Sequence, residues 1–166
     1  MTTIRAFKAT DLFKFNHILV TPQYAITFYL TYLSRWPDMC AVSATPQGRL
    51  MGYMIGKAEG QNLERHGHVT ALTVAPEYRR LGISRRLVAF LEHVSDEVYR
   101  GLFVDLYVRC VNLAAIGIVY RRPRLGMAPR DEEDGFDMRK PLTRDPMRRS
   151  VRANGRDIVV GANEVS

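Results

Sequence analysis

The segment from Val69 to His93 constrains the fold more than any other part of this 166-residue chain. It begins with six apolar and β-branched residues, Val69 to Val74, a run typical of a buried strand. Pro76 has no N–H group to donate to a neighbouring strand, so we expect the strand to end before it. After Gly82, apolar residues recur at the spacing of one helix face, at Leu87, Phe90, Leu91, Val94 and Val98. The segment therefore predicts a strand, a tight turn and a helix in direct succession.

The turn between this strand and this helix has the composition of an anion-binding site. Gly82 permits a positive φ or a close approach of the backbone to a ligand. The amide groups after it point out of the helix N-terminus, where a phosphate group is stabilised. Arg79 and Arg80 add positive charge beside that position. An ordinary surface turn with a solvated basic pair is the alternative, and these residues alone leave it open.

Composition places the chain among ordinary globular proteins with one domain. Hydrophobic residues make up 46% and charged residues 25% of a chain long enough to bury one core. No apolar run reaches membrane-spanning length, and the N-terminal residues lack the apolar core of a signal peptide. Cys40 and Cys110 are the two cysteines, too few for a disulfide framework or a metal site. We therefore expect a reducing, cytoplasmic environment.

The net charge of +7 has two interpretations. Much of the excess lies in the C-terminal part, at Arg121, Arg122, Arg124, Arg148, Arg149 and Arg152. A polyanion such as ribosomal RNA would bind such a surface, but a solvated basic tail explains the same arginines equally well. No aromatic residues interleave with them, which argues against direct recognition of nucleic acid. We expect a domain over residues 1–142 and a basic tail over residues 143–166 that is extended or disordered on its own.

The rest of the pattern predicts a mixed sheet flanked by helices. Besides the strand that starts at Val69, the predicted strands are Thr2–Phe7, Cys40–Ser43, Leu50–Gly56 and Leu102–Val108. A first helix takes Thr10 as its N-cap, and a second covers about Ile26 to Ser34. The segment Pro46-Gln-Gly48 predicts the turn of a hairpin. The order β-α-α-β-β-β-α-β indicates an α/β fold on a mixed sheet.

Several of these segments resemble the GNAT acetyltransferases. Arg79-x-x-Gly82-x-Ser84 is similar to their acetyl-CoA motif, in which Gln or Arg is followed by x-x-Gly-x and then Gly or Ala. Within the family the chain resembles the NatB catalytic subunits, which acetylate Met-Asp, Met-Glu, Met-Asn and Met-Gln N-termini. The segments that carry this closer resemblance are Met1–Phe7, Asp11–Asn16, Phe28–Leu33, Leu50–Tyr53, Gly56–Gly60, His66–Leu72, Val108–Arg109, Asn112 and Asp137–Lys140.

The resemblance implies a GNAT fold and transfer of the acetyl group of acetyl-CoA to the α-amine of nascent protein N-termini. It also implies a large helical NatB auxiliary subunit, contact with the ribosome through that subunit, and no metal or membrane partner. The aromatic first two helices are a candidate docking face for the auxiliary subunit, although their apolar side chains also suit a core. Two other functions stay open: an acetyltransferase with another peptide or lysine specificity, and a catalytically impaired NatB-like subunit.

The same resemblance implies which residues form the site. His68 is the candidate base or amine-orienting residue, unless it only bonds a neighbouring carbonyl, and His66 is expected to be structural. Tyr24 and Glu59 are candidates for peptide binding. The alternatives are that Tyr24 only packs on the second helix and that the side chain of Glu59 is only solvated. Tyr120 is the candidate proton donor to the leaving thiolate. The residues expected to bind acetyl-CoA are Leu72, Thr73, Val74, Arg79, Arg80, Gly82, Ile83, Ser84 and Asn112, the last of which could instead cap a helix.

Two segments depart from the NatB pattern. The loop Thr21-Pro22-Gln23-Tyr24 is shorter than the corresponding loop of the family and lacks its glutamate. In residues 116–130, Gly117, Pro123 and Pro129 disfavour a long helix. We therefore expect part of a helix and much of the strand after it to be missing or rewritten, so that the C-terminal helix/strand region is truncated. A mis-spliced transcript, a wrong gene model or a degenerate paralogue would each produce this pattern.

Overall fold

A mixed six-stranded sheet forms the centre of the computed structural model, which describes residues 2–17, 24–109 and 135–151. The strands are β1 (Thr3–Ala6), β2 (Cys40–Ala44), β3 (Leu50–Glu59), β4 (His66–Val74), β5 (Phe103–Arg109) and β6 (Gly135–Pro141). They lie side by side in chain order, and all neighbours are antiparallel except β4 and β5. The helices are α1 (Ile26–Arg35) and α2 (Ile83–Glu97). The predicted mixed sheet with flanking helices is confirmed.

The strand, turn and helix predicted from the segment after Val69 are present as β4 and α2. The strand ends at Val74, before Pro76, and the helix follows Gly82 directly. The spaced apolar residues of α2 face the sheet, and Leu87, Leu91 and Val94 are buried there. Two sheet glycines, Gly56 and Gly67, allow this close packing, because a Cβ on either would overlap side chains of α2.

The opposite face of the sheet is covered over β1–β3 by α1 and by a 3-10 helix at Ala9–His17. An aromatic cluster, formed by Phe7, Phe15, Tyr29 and Tyr53, fills the space between them. The ring centroids of Phe15 and Tyr53 are 4.7 Å apart. Edge-to-face and stacked contacts of this kind add to the gain from burial alone.

The prediction of Thr10 as a helix N-cap is wrong, because a 3-10 helix begins one residue earlier, at Ala9. Asp11 organises this segment instead. Its carboxylate accepts the backbone N–H of Lys8 at 2.9 Å and both guanidinium nitrogens of Arg5 at 2.7 and 2.8 Å. A buried carboxylate with three donors fixes the chain in a tighter conformation than the α-helix its apolar spacing suggests.

The C-terminal part of the described chain packs against the sheet and α2. The strand β6 carries Asp137–Lys140 and pairs with β5 from Arg109↔Gly135 to Phe103↔Pro141. Residues 142–151 continue as hydrogen-bonded turns, with the hydroxyl of Thr143 donating to Asp96 at 2.6 Å. The expected truncation of the helix/strand region falls on residues 110–134, outside the described residues. Within the described ranges no helix is long and apolar enough to cross a membrane.

Candidate active site

A gap opens between β4 and β5 at the centre of the sheet. Their parallel pairing runs only from His66↔Phe103 to Val69↔Leu106. On its other side, β4 stays paired with β3 as far as Val74. From residue 70 to residue 74, the edge of β4 that faces β5 therefore has no strand partner in the described part of the chain. Leu72, Thr73 and Val74 lie along this free edge and are partly exposed, as a ligand-binding strand end requires.

A β-bulge marks the start of the gap. The partners Gly56↔Val69 and Ile55↔Ala71 leave Thr70 as an extra residue on β4. The hydroxyl of Thr70 is buried and has no hydrogen-bond partner among the described residues. An unpaired buried hydroxyl is costly, and this one belongs to the first β4 residue beyond the last β4–β5 pair.

The turn that follows β4 has the geometry expected of an anion site. Gly82 is the N-cap of α2 with φ 76°, in the left-handed region that favours glycine, and a Cβ there would meet nothing within 4 Å. No side chain among the described residues caps the first turn of α2, and that turn contains no acidic residue. Arg79 bonds back along the strand, from Nε to the carbonyl oxygen of Val74 at 3.2 Å. The predicted residues Arg79, Arg80, Gly82, Ile83 and Ser84 thus lie together at the end of β4.

A row of polar side chains crosses the same sheet face that α1 covers over β1–β3. The register aligns Lys57 with His68, His68 with Asp105, and Asp105 with Arg139. Because residues paired across neighbouring strands project to the same face, these four side chains lie on the same side of the sheet. Glu59 lies next to the row and forms an ion pair with Lys57 at 2.5 Å. His68 and Glu59, predicted as site residues, are therefore brought to one surface.

The carboxylate of Asp105 joins the two histidines of β4. Its Oδ1 lies 2.8 Å from Nδ1 of His68, and its Oδ2 lies 3.5 Å from Nε2 of His66. The ring of His66 stacks on Phe103 with centroids 4.6 Å apart, and its Nδ1 lies 2.6 Å from the carbonyl oxygen of Glu64. His66 thus has the packing and bonding contacts of a structural residue, whereas His68 bonds a buried carboxylate rather than a carbonyl.

Asp105 and Tyr107 are two residues of this site that the sequence-based interpretation missed. An aspartate inside the apolar run Phe103-Val-Asp-Leu-Tyr-Val was an available signal, because a buried charge needs partners. Tyr107 is the first β5 residue beyond the last β4–β5 pair, is 48% exposed, and has its ring 5.0 Å from that of His68. The pKa of Tyr107 is raised to about 12, mainly by burial and to a smaller extent by the carboxylates of Asp105 and Asp137. Its phenol therefore stays protonated at neutral pH.

The remaining predicted residues lie apart from this row or outside the described chain. Tyr24 precedes α1, and its ring stacks on Phe28 with centroids 4.1 Å apart while remaining 48% exposed. The structure thus places Tyr24 at the edge of the aromatic cluster, where about half of the residue is exposed. Asn112 and Tyr120 fall within residues 110–134, so their predicted roles lie outside the described residues.

Comparison with known proteins links this geometry to one family. A sequence model of the Acetyltransferase (GNAT) family matches residues 7–122. N-alpha-acetyltransferase 20 of Dictyostelium discoideum is 48% identical over 161 residues, covering 91% of this chain and 92% of the relative. The N-terminal acetyltransferase B complex catalytic subunit NAA20 of Arabidopsis thaliana is 46% identical, covering 91% of each. A solved structure of the NatB acetyltransferase complex bound to a bisubstrate inhibitor matches with a TM-score of 0.79 at 32% identity, covering 99% of both chains.

Proposed function

The chain belongs to the GNAT acetyltransferase family, among its NatB-type N-terminal acetyltransferases, and on that premise we propose how its site works. The acetyl group passes from acetyl-CoA to the α-amine of protein N-termini that begin with Met-Asp, Met-Glu, Met-Asn or Met-Gln. One observation carries this proposal: the gap between β4 and β5 opens beside the uncapped N-terminus of α2, in a chain similar to NatB catalytic subunits over almost its whole length.

The turn at Gly82 and the free edge of β4 fit acetyl-CoA. The amides that open α2 lack a side-chain cap and an acidic neighbour, so a pyrophosphate group would be stabilised there, with Arg79 and Arg80 adding charge. The exposed edge at Leu72–Val74 offers backbone N–H groups to the rest of the cofactor. Acetyl-CoA supplies a thioester-activated acetyl group. We expect the N–H groups of this edge to stabilise the oxyanion that forms during transfer.

His68 is placed to handle the proton of the substrate amine. An α-amine has a pKa of roughly 7.7–8.0, so only about a tenth to a fifth of it is neutral near pH 7. A neutral imidazole increases that reactive fraction by accepting a proton, which is a modest demand on a general base. His68 lies next to the gap, because Val69 forms the last β4–β5 pair. Tyr24 and the polar face beside His68, which includes Glu59, would contact the first residues of the peptide.

The exposed apolar side chains near α1 suit a docking face for the NatB auxiliary subunit. Phe13 is 83% and Ile26 is 65% exposed, and Leu30 is exposed on the same helix. Apolar exposure of this extent is more often an interface than a free surface. The comparison structure is itself a complex, which supports the existence of a partner subunit. We further propose that the assembled protein works at the ribosome in the cytoplasm, through the auxiliary subunit.

A peptide panel tests the function and its alternatives together. The chain, co-purified with its NatB-type auxiliary subunit, would be assayed with acetyl-CoA and peptides beginning Met-Asp, Met-Leu and Ser. We expect turnover confined to the Met-Asp peptide. Turnover of the other peptides, or of internal lysines, would replace NatB specificity with another one. Acetyl-CoA binding without any product would identify an impaired subunit and direct attention to residues 116–130.

A further inference from the structure

A charged side chain lies in the middle of β5, where the strand is otherwise apolar. Asp105 is 3% exposed, and its strand neighbours Val104 and Leu106 are buried against α2 on the other face. Burying a carboxylate without partners is strongly unfavourable, so such a residue is retained only with strong hydrogen bonds. Asp105 forms a 2.8 Å hydrogen bond with His68, the residue proposed to accept the substrate proton.

The hydrogen bond to Asp105 determines which nitrogen of His68 carries the proton. A carboxylate only accepts hydrogen bonds, so the 2.8 Å contact requires Nδ1 of His68 to be the donor. In the neutral ring, Nε2 then holds the free lone pair. No described residue forms a hydrogen bond with Nε2. As far as the described residues are concerned, the accepting nitrogen of the ring is therefore available for a substrate.

A second histidine, His66, lies on the other side of Asp105. Its Nε2 is 3.5 Å from Oδ2 of Asp105, its ring stacks on Phe103, and its Nδ1 lies 2.6 Å from the carbonyl oxygen of Glu64. His68 is 6% exposed, so neither the ring nor its carboxylate partner has room to rotate freely. The result is a rigid hydrogen-bonded pair next to the gap.

We propose that Asp105 is a positioning residue for acetyl transfer, which fixes His68 in the orientation and tautomer whose Nε2 accepts a proton from the substrate ammonium group. This inference rests on the proposed function. The N–H bond of the ammonium breaks, its proton moves to Nε2, and the freed lone pair attacks the thioester carbon. The C–S bond then breaks and its electrons leave with the CoA sulfur, which takes the second proton of the amine. His68 returns its proton to solvent, while Asp105 stays ionised throughout.

A double-mutant cycle tests this inference in the complex with the auxiliary subunit. The variants are D105N, H68Q and both together, with D137N as a matched control, an aspartate of β6 that bonds Arg139. We expect D105N to lower kcat on a Met-Asp peptide about tenfold, less than the roughly hundredfold that loss of a general base costs, because His68 itself remains, with the KM for acetyl-CoA unchanged. We expect D105N to cause no further loss in the H68Q protein, and D137N to remain within about twofold.

Two results of the cycle would overturn the inference. One is a D105N protein with unchanged kcat, and the other is an equal additional loss when D105N is combined with H68Q. A purely structural role for Asp105 would produce the second pattern, because it would not depend on His68. If the wild-type complex transfers no acetyl group to any peptide, the proposed function fails before the cycle begins, so the two failures are distinguishable.

A measurement on the unmodified protein covers the case in which D105N does not fold. The chain has four histidines, so nitrogen-15 labelling of their rings gives a spectrum that NMR resolves, with H68Q assigning the signal of His68. We expect the neutral ring of His68 to carry its proton on Nδ1 and to have an unprotonated Nε2. A proton on Nε2 instead would show that Asp105 does not set the tautomer and would overturn the inference.

Discussion

The two halves of one sheet face differ sharply in chemistry. Over β1, β2 and the part of β3 as far as Ile55 the face is largely aromatic and apolar, and α1 and the 3-10 helix bury it around Phe7 and Tyr53. Over β4–β6 the same face carries His68, Asp105 and Tyr107, and the last of these remains half exposed. The opposite face is packed by α2 on both sides of this divide. The first half is therefore a scaffold, and the second half is the surface that we propose as the site of reaction with a peptide.

The separation of β4 and β5 occurs in the polar half of the sheet for a physical reason. A parallel pair that separates after four residue pairs exposes backbone groups, which an apolar region has no means to satisfy. Thr70, whose hydroxyl is unpaired among the described residues, begins this free part of β4, and the turn after β4 leads to the uncapped start of α2. The difference between the halves supports our proposal that ligand binding and stability depend on different strands.

The largest expected effect tests the scaffold half. We expect Phe7→Ala to lower the free energy of unfolding by about 3–5 kcal/mol, because the ring is buried among three other aromatic rings and the chain cannot fill the cavity. Denaturant unfolding of the isolated chain measures this. Phe13→Ala is the control, since this exposed ring should change stability by less than about 0.5 kcal/mol. Similar losses for both variants would contradict the assignment of the scaffold.

The next effect belongs to the polar half. We expect His68→Gln to lower kcat/KM about 10- to 100-fold, or roughly 1.4–2.7 kcal/mol, because the amide keeps a hydrogen bond to Asp105 but does not accept the proton. Steady-state kinetics with a Met-Asp peptide measure it. His93→Gln on α2 serves as the control and should retain full activity. An active His68→Gln enzyme, within about twofold of the wild type, would remove His68 from its proposed role.

A third prediction concerns how the stability of the scaffold half depends on pH. Burial acts to raise the pKa of Asp11, but hydrogen bonds from Arg5 and from the N–H of Lys8 outweigh it, so the folded-state pKa lies below its ordinary value. This carboxylate thus stabilises the fold above about pH 4, and the stabilisation is lost as the pH falls through the lowered pKa. We expect Asp11→Asn to cost about 1–3 kcal/mol at pH 7 and to flatten the loss of stability in acid. Equal acid sensitivity in both proteins would exclude this cause.

The smallest expected effect lies at the edge of the aromatic cluster. Tyr24→Phe keeps the stacking on Phe28 and removes only the phenol hydroxyl. If that hydroxyl bonds the peptide, we expect kcat/KM to fall about three- to tenfold with unchanged stability, the value of one hydrogen bond. Tyr32→Phe, further along α1, is the control. If kcat/KM of the variant stays within about twofold of the wild-type value, Tyr24 has only a packing role.

Local sequence pattern was sufficient for the strand, turn and helix from Val69 to Glu97. Each boundary there has a local cause, namely Pro76 after the strand and Gly82 before the helix. The hairpin of β2 and β3 was predictable for the same reason, since Gly48 adopts φ 82° in its turn. Where one residue fixes the backbone by itself, sequence is enough.

The polar row and the 3-10 helix depend on contacts that no local pattern contains. Asp105 meets His68 only through the parallel register of two segments that lie 37 positions apart. The segment after Ala9 has helical apolar spacing, but the bonds of Asp11 to Arg5 and Lys8 set a tighter turn. Register and ion pairing between distant residues are properties of the folded chain, so these features required the structure.

Hydrogen exchange with a bound ligand tests most directly the claim that the second half of the sheet is the site. The ligand would be CoA joined through an acetyl bridge to a peptide that begins Met-Asp, added to the complex with the auxiliary subunit. We expect slower amide exchange at residues 70–74 and 79–84, with no change in β1 and β2. Protection at β1 and β2 without protection at residues 70–74 would contradict the division of the sheet into scaffold and site.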